Sequence, residues 1–244
     1  MKALVLGSGE AFDEIHANTS VLIESETNLL LDCGFSVPPM LWRSQARVDA
    51  LYLTHAHADH FFGVPAMVAR MCDEPRRDPL KIITQYDVWL RLGQVLELAY
   101  PASEAKRTFP LEFVEATAGA SIALGELTLT FAPTRHTISN LAIRVACGDR
   151  AICFSGDGAF TPQSQALYQG ADLLFHEAYS FERKNSHSQL EDVVAMAVEA
   201  QVKRLALTHI ERNVRKNERA RLEALRHDTG IAVLLPKGGE RIAV

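Results

Sequence analysis

The chain has 244 residues, 48% of them hydrophobic and 23% charged, which is the composition of a globular protein with a sizeable core. Its formal net charge of −5 gives no overall attraction for nucleic acid, although it does not exclude a local basic patch. Hydrophobic runs are shorter than a membrane span and MKALVLGSG has no cleavage-site pattern, so we expect a cytoplasmic protein with no membrane partner. We also expect one domain over 1–244, with the four cysteines as buried thiols.

The first fifty residues predict short strands and one helix. Apolar runs between turn residues predict strands over 2–7, 19–24 and 28–32, the last two as a hairpin. Pro38 and Pro39 favour a helix start, and we predict a helix over 36–46.

The segment 49–60, DALYLTHAHADH, contains four side chains that can bind metal ions: His55, His57, Asp59 and His60. A strand over 49–53 precedes them, and residues two apart in an extended chain face the same side, so His55 and His57 can share one ion. Asp59 and His60 come after the turn and can serve a second ion. Imidazoles and carboxylates suit Zn, Mn or Fe, and the helical spacing of 61–72 places this loop between two rigid elements.

The sequence THAHADH resembles the HxHxDH signature of the metallo-β-lactamase superfamily of binuclear hydrolases. The resemblance implies an α/β fold, specifically a four-layer αββα sandwich with the ligands at one edge. It also implies that Asp32 orients the ligand loop without binding metal itself.

The middle of the chain predicts a strand over 81–84, a helix over 85–100 and then a series of strands within 111–154. The helix has apolar positions Val88, Leu92, Val95, Leu96 and Leu98, and we expect its aromatic residues in the core rather than in a ligand platform.

Two further ligand candidates lie in this strand-rich part. His136 falls in a turn between strands, where a lone histidine is usually an ordinary surface or core residue. However, HTISNLAIR resembles the phosphodiesterase branch of the superfamily, which implies that His136 is the third His ligand. Asp157 lies between two glycines at a strand end, where a carboxylate can bridge two ions or form a hairpin turn. Most true β-lactamases of the superfamily have Cys at this position, so Asp157 argues against that activity.

The segment 171–209 carries the last candidates. ADLLF at 171–175 predicts a buried strand that leads into Glu177, and a strand over 203–208 leads into His209. Between them lies His187, followed by Ser188 as the predicted N-cap of a helix to about residue 200. The run HEAY, SHS and LALTHI resembles the ribonuclease Z type of metal phosphodiesterase, although the loop before His187 is shorter and no Arg-Tyr follows His209.

These resemblances imply a site with two divalent ions, Zn first and Mn or Fe as alternatives. One ion is implied at His55, His57, His136 and Asp157, and the other at Asp59, His60, Asp157 and His209. The implied reaction is attack of activated water on phosphorus, with Asp59 orienting the water. His187, positioned by Glu177, is the implied general acid. A neutral surface role of the Glu177 and His187 pair stays open, because apart from the resemblance only proximity in the sequence links them.

The end of the chain predicts a charged helix over about 215–227, with a pattern typical of a solvated face, and two closing strands. Only 21 positions separate His136 from Asp157, and predicted strands fill them. The flexible arm with which ribonuclease Z proteins grip tRNA is therefore expected to be absent.

These features favour hydrolysis of a small or cyclic phosphodiester, such as a cyclic nucleotide or a phosphorylated sugar. Three alternatives stay open: a ribonuclease Z-type tRNA 3′-end endonuclease with RNA as partner, a glyoxalase II-like thioester hydrolase, and a metal-binding interaction protein without turnover. A di-iron redox protein is less favoured, because His57 stands where such proteins tend to carry Glu. A homodimer is expected from the resemblance alone.

Overall fold

The computed structural model describes residues 1–227 and 229–244, and its strands form two seven-stranded mixed sheets. In chain order, the strands are β1 (Lys2–Gly7), β2 (Ser20–Glu24), β3 (Leu29–Leu31), β4 (Ala50–Tyr52), β5 (Leu80–Thr84), β6 (Leu111–Glu115), β7 (Ser121–Leu124), β8 (Leu127–Pro133), β9 (Leu141–Cys147), β10 (Arg150–Phe154), β11 (Leu173–Glu177), β12 (Arg204–Thr208), β13 (Ala232–Leu234) and β14 (Arg241–Ala243). The first sheet has the order β14-β1-β2-β3-β4-β5-β6, and the second has the order β13-β12-β11-β10-β9-β8-β7.

Helices cover the outer faces of both sheets. They are α1 (Pro38–Ser44), α2 (Ala58–Phe61), α3 (Val64–Asp73), α4 (Tyr86–Ala99), α5 (Pro162–Tyr168), α6 (Leu190–Glu199), α7 (Arg212–Asn217) and α8 (Arg219–Ala224). Helices α1, α3 and α4 pack on the first sheet, and α5 to α8 pack on the second. The predicted αββα sandwich is confirmed, and one hydrophobic core lies between the sheets while another lies under each helical layer.

The inter-sheet core is apolar apart from one hydroxyl that joins the two sheets. Tyr52 of β4 is fully buried, and its ring centroid lies 5.4 Å from that of Phe131 on β8. Its hydroxyl donates a 2.7 Å hydrogen bond to the carbonyl of Leu141, at the start of β9. Strands β3, β4 and β5 are parallel to one another and almost wholly buried, because a helical layer covers one face and the second sheet covers the other.

The amphipathic helices follow from sequence spacing. In α3 the buried residues are Val64, Met67, Val68 and Met71, which recur at the i, i+3, i+4, i+7 positions of one helical face. The buried residues of α6 follow the same spacing from Leu190 onward. This pattern explains why both helices could be predicted from the sequence.

Three predictions of detail were wrong. Of the aromatics at 85–100, Trp89 packs against the core, but Tyr86 is 55% exposed and Tyr100 is 45% exposed. The charged helix predicted over 215–227 is two short helices, α7 and α8, which meet at Glu218. Ser188 is not the N-cap of α6, because its N–H donates to the carboxylate of Glu177 and the cap position falls on Gln189.

Two helices escaped prediction: α2, which lies within the predicted ligand loop, and α5. Helix α5 has no long apolar stripe, but Thr161 and Ser164 form a reciprocal capping box around Pro162 at its start. None of the helices in the described part of the chain is long and apolar enough to cross a bilayer.

We predict opposite effects on stability for glycine-to-alanine substitutions at Gly34 and Gly93. A Cβ on Gly34 would lie 1.9 Å from the carbonyl oxygen of Asp59, whereas a Cβ on Gly93 would meet no atom within 4 Å. We expect Gly34→Ala to destabilise the fold by about 3 kcal/mol or more, because backbone of the ligand loop must shift. Gly93→Ala, inside α4, should stabilise it by about 0.5–1 kcal/mol. Urea denaturation of both variants checks this, and a Gly34→Ala variant as stable as the parent protein would contradict the close approach.

Candidate active site

The sandwich brings the candidate ligands together because the strand ends meet at one edge. His55 follows β4, His136 lies in the loop between β8 and β9, Asp157 follows β10 and His209 follows β12. Asp59 and His60 lie on the short helix α2, which begins directly after His57. Ligand atoms from these residues form two clusters in which all atoms lie within 4.8 Å of one another. Asp157 belongs to both clusters.

The first cluster contains three imidazoles and one carboxylate: His55, His57, His136 and Asp157. Nδ1 of His57 lies 3.1 Å from Nε2 of His55 and 3.1 Å from Nε2 of His136. Oδ2 of Asp157 lies 3.9 and 3.7 Å from the same two Nε2 atoms.

The second cluster contains Asp59, His60, Asp157 and His209. Oδ2 of Asp59 lies 3.3 Å from Nε2 of His60 and 3.2 Å from Nε2 of His209. Asp157 contacts these nitrogens with different oxygens: Oδ1 lies 3.3 Å from His60 and Oδ2 lies 3.4 Å from His209. Its carboxylate therefore reaches both clusters.

These separations fit a divalent ion at each cluster. Nitrogen and oxygen ligands at about 2.1 Å from a tetrahedral ion lie about 3.4 Å apart. The second cluster has this spacing on the four edges just given, and the first has it among its imidazoles. Nε2 of His60 and Oδ1 of Asp157 are buried and have no hydrogen-bond partner, which is costly unless a cation lies between them.

In three of the histidines, the ring nitrogen that faces away from the clusters is hydrogen-bonded. The lone pair of the other ring nitrogen is therefore directed into the cluster. Asp32 accepts hydrogen bonds from the N–H and hydroxyl of Thr54, both at 2.8 Å, and lies 2.7 Å from Nδ1 of His60. Because the Thr54 hydroxyl donates to Asp32, its oxygen accepts from Nδ1 of His55 at 2.9 Å. Nδ1 of His136 donates to the carbonyl of Ser186 at 3.0 Å. In His55, His60 and His136 the hydrogen bond at Nδ1 thus leaves Nε2 as the ligand atom, whereas His57 faces the first cluster with Nδ1.

Asp157 is held by its backbone and by Asn140. The two flanking glycines have φ of +60° and +95°, the left-handed region that side chains with a Cβ rarely adopt. The side-chain oxygen of Asn140 accepts from the Asp157 N–H at 3.2 Å, and Thr134 donates to the Asp157 carbonyl. The segment is therefore a fixed strand-end turn that aims the carboxylate inward.

Charges in the clusters compensate one another. Burial opposes a charged His60, but Asp157, Asp59 and Asp32 outweigh it and raise the His60 pKa well above its usual value. For His209, burial is likewise outweighed by Asp157 and Asp59, which raise the pKa to about 9. Burial lowers the pKa of His55 well below its usual value. A cation that entered the second cluster would displace protons from His60 and His209, so metal binding there should be tighter at higher pH.

Glu177 and His187 lie beside both clusters. Nδ1 of His187 lies 3.6 Å from Oε2 of Glu177, and Oε1 of Glu177 accepts the Ser188 N–H at 2.7 Å. Burial raises the pKa of Glu177, and His187 partly offsets that rise. The His187 ring stacks on Tyr179 at a centroid distance of 4.5 Å and lies 5.7 Å from the ring of His209. The two residues that the resemblance implies as a pair thus lie within ion-pair distance, although these two atoms form no hydrogen bond.

Sequence reasoning missed several residues that hold the site. Thr54, Asn140 and Tyr179 were not singled out, and neither was the carbonyl of Ser186. Each lies within a few residues of a predicted ligand or acid, in THAHADH, HTISN, HEAY or NSHS. Proximity to a ligand was the available signal, but which neighbour contacts which ligand depends on the tertiary fold.

Comparison with known proteins identifies relatives along nearly the whole chain. A family model described as Anti-Pycsar protein Apyc1 matches residues 1–227. The chain is 25% identical to ribonuclease Z of Methanothermobacter thermautotrophicus, covering 89% of each protein. It is 23% identical to ribonuclease BN of Cronobacter sakazakii, covering 92% of this chain and 93% of the relative.

Solved structures share the fold. The short form of human tRNase Z superposes with a TM-score of 0.80 at 21% identity, covering 100% of this chain and 99% of that one. The metallo-β-lactamase fold protein YhfI of Bacillus subtilis gives 0.78 at 22% identity, covering 99% of both chains. A diphosphatase of the PhnP family gives 0.77 at 19% identity, covering 100% and 97%.

These relatives confirm the resemblance to ribonuclease Z-like hydrolases and the metallo-β-lactamase fold. Together with the two His/Asp clusters, they support the prediction of a metal-dependent hydrolase. Because the family model covers most of the sequence, the chain belongs to the family described as Anti-Pycsar protein Apyc1.

Proposed function

We propose that the protein is a phosphodiesterase that hydrolyses a small or cyclic phosphodiester with two divalent ions, zinc first. One observation carries the proposal: the carboxylate of Asp157 reaches both clusters, as a bridge between two ions requires. The first ion would be held by His55, His57, His136 and Asp157, and the second by Asp59, His60, Asp157 and His209. When bound, such ions acidify a water molecule and offset the negative charge that develops on the phosphate oxygens.

Two further roles fall to side chains of the protein: orientation of the attacking water and protonation of the leaving group. Asp59 lies at the second cluster, where its carboxylate can accept a hydrogen bond from the attacking water and orient it. Departure of an alkoxide requires a proton, for which His187 is placed beside both clusters. Glu177 faces Nδ1 of His187, so Nε2 is the atom that delivers the proton. Tyr179 fixes the plane of the His187 ring by stacking.

The surroundings favour a small substrate. A pocket of about 260 Å³ adjoins His187 and is lined by Arg135, Arg183 and Lys184, which supply positive charge for an anionic group. Hairpin β9–β10 fills the chain between His136 and Asp157, where a tRNA-gripping arm would be inserted. A compact anion such as a cyclic nucleotide matches this pocket better than a folded RNA does.

Ribonuclease Z-type cleavage of tRNA 3′ ends is the second candidate, because curated relatives carry that name at 22–26% identity. Precursor tRNA incubated with the metal-loaded protein separates the two. Cleavage at the 3′ end at a rate comparable to that of small diesters would favour the endonuclease.

Metal removal tests the class of reaction. We expect hydrolysis of bis(p-nitrophenyl) phosphate by the metal-loaded protein and loss of that activity after treatment with EDTA, restored by added zinc or manganese. Absorbance of released p-nitrophenolate measures it. No turnover with two ions bound would contradict the phosphodiesterase and favour thioester hydrolysis or a binding role.

Replacement of the shared carboxylate tests the bridge. We expect Asp157→Ala to lose both ions together, because each cluster loses one ligand and the ions lose the charge between them. Metal content by mass spectrometry after dialysis measures it. Asp149→Ala, which removes an exposed carboxylate from the β9–β10 hairpin, is the matched control and should retain both ions. Retention of one ion at full occupancy by Asp157→Ala would mean that Asp157 does not bridge.

A leaving-group comparison tests the general acid. We expect His187→Ala to retain its metal ions. The variant should hydrolyse a ribose cyclic phosphate about 10²-fold or more slowly than the parent protein, because an alkoxide needs a proton to leave. Hydrolysis of p-nitrophenyl esters should change little, since p-nitrophenolate leaves without one. His227→Ala removes an exposed histidine and serves as control. An equal loss on both substrates would exclude the assignment.

A further inference from the structure

A cavity of about 750 Å³ lies outside the candidate active site. Helices α7 and α8 form one wall, and strand β14 with the segment 234–237 forms the other. None of the lining residues belongs to the His/Asp clusters or to the Glu177 and His187 pair. The cavity is therefore a separate feature of the surface.

The cavity concentrates positive charge in a chain whose net charge is −5. Among the residues that the structure describes, two carboxylates, Glu223 and Glu240, line it. Against them stand six cationic side chains: Arg204, Arg215, Arg219, Arg226, Lys237 and Arg241. Such a local excess of cations is the electrostatic signature of an anion site.

Three of these cations are not neutralised by carboxylates. Arg219 and Lys237 have no carboxylate within 4.0 Å among the described residues, and Arg204 contacts only the carbonyls of Ala243 and Asp172. Arg215, Arg226 and Arg241 do have partners: Asp13, Glu223 and Glu24, respectively. The unpaired cations are thus available to a ligand.

One histidine also lines the cavity. His16 lines the cavity, and its pKa is lowered first by burial and then by Arg215, with Lys237 acting in the same direction. It is therefore neutral at pH 7 and can still donate or accept a hydrogen bond.

The other part of the lining is apolar. Leu234, Leu235 and Ile242 are half-buried and form its accessible part, whereas Leu222 and Pro236 are buried. Cations beside an apolar surface suit a molecule that has phosphates at one end and a ring system at the other. An extended nucleic acid is held instead along a groove with a series of stacking platforms, and this cavity is a single concavity.

We propose that this cavity is a binding site for an organic polyphosphate of the size of a nucleoside diphosphate. Its phosphates contact Arg219, Lys237 and Arg204, and its ring lies on the apolar surface formed by Leu234 and its neighbours. The site is independent of the metal clusters and does not require the proposed hydrolysis.

Binding of a non-hydrolysable diphosphate to the metal-loaded protein tests the proposal. The probe is α,β-methylene-ADP, measured by titration calorimetry, with methylenediphosphonate as the matched probe without a nucleoside. We expect Arg219→Gln/Lys237→Gln to weaken binding of the nucleotide by about tenfold or more, because two charge-assisted contacts are removed. The control variant Lys81→Gln/Arg91→Gln loses the same charge from exposed positions outside the cavity and should bind like the parent protein.

A variant of the metal clusters distinguishes the two sites. Asp157→Ala should still bind the nucleotide, because the cavity does not include that residue. Loss of binding in Asp157→Ala with retention in the cavity variant would place the nucleotide at the metal clusters and overturn the proposal. Absence of binding by the parent protein at about 1 mM would do the same.

Two comparisons test the class of ligand. Methylenediphosphonate should bind more weakly than the nucleotide, and equal affinity would exclude a role of the apolar surface. A single-stranded RNA that binds more tightly than the nucleotide through Arg219 and Lys237 would make the cavity part of a nucleic-acid surface instead. Both double variants replace exposed side chains, and thermal denaturation verifies that they fold.

Discussion

The structure depends on gathering five imidazoles and two carboxylates at one edge of the sandwich, all of them buried except the half-buried His57 and His136. Isolated, each of these groups would be costly to remove from water, and each carboxylate would favour protonation. In this arrangement the carboxylates of Asp59 and Asp157 lie among imidazoles, and their pKa values are lowered although burial alone would raise them. The ligand atoms that lack protein partners face one another across the spacing of a coordinated ion. A divalent cation at each cluster, as proposed, would complete the balance of charge and hydrogen bonds.

The rest of the fold holds those groups in place. Asp32 has a left-handed φ of 56° and His209 one of 52°, which are unfavourable for side chains with a Cβ and persist only where surroundings impose them. At Asp32 the surroundings are Thr54 and His60, and at His209 the backbone N–H donates to the carbonyl of Ser8. The close contact of Gly34 with the Asp59 carbonyl then joins α2 to the end of β3.

The sequence predicted which side chains gather at one edge because the candidate ligands lie at the ends of strongly apolar strands. The period-two and continuous apolar runs located β4, β8, β10 and β12, and the polar residue after each run had to lie at the sheet edge. The ligand assignment came from resemblance as well as spacing, and the structure brings all seven residues together.

What the sequence could not supply depends on tertiary contacts. Ser188 has the composition of a helix cap, but the buried carboxylate of Glu177 competes for its N–H and shifts the helix start. Leu98 has the helical spacing of a core residue, yet its part of α4 extends beyond the surface on which the helix packs. Asn140 and Asp157, which form a hydrogen bond, are 17 positions apart in the chain, and no local sequence pattern indicates that they meet.

The positions of the cations bear on the size of the substrate. Ribonuclease Z-like binding of a folded RNA requires many phosphate contacts spread over a long surface, since each contact contributes little alone. Here the cations near the site are Arg135, Arg183 and Lys184, and two of these are partly engaged by Asp192 and Glu182. Further positive charge lies in the separate cavity beside α7 and α8 rather than along the mouth of the active site. Few cations and a small pocket beside His187 therefore support the proposed small diester over a tRNA, because a compact anion needs fewer phosphate contacts than a folded RNA does.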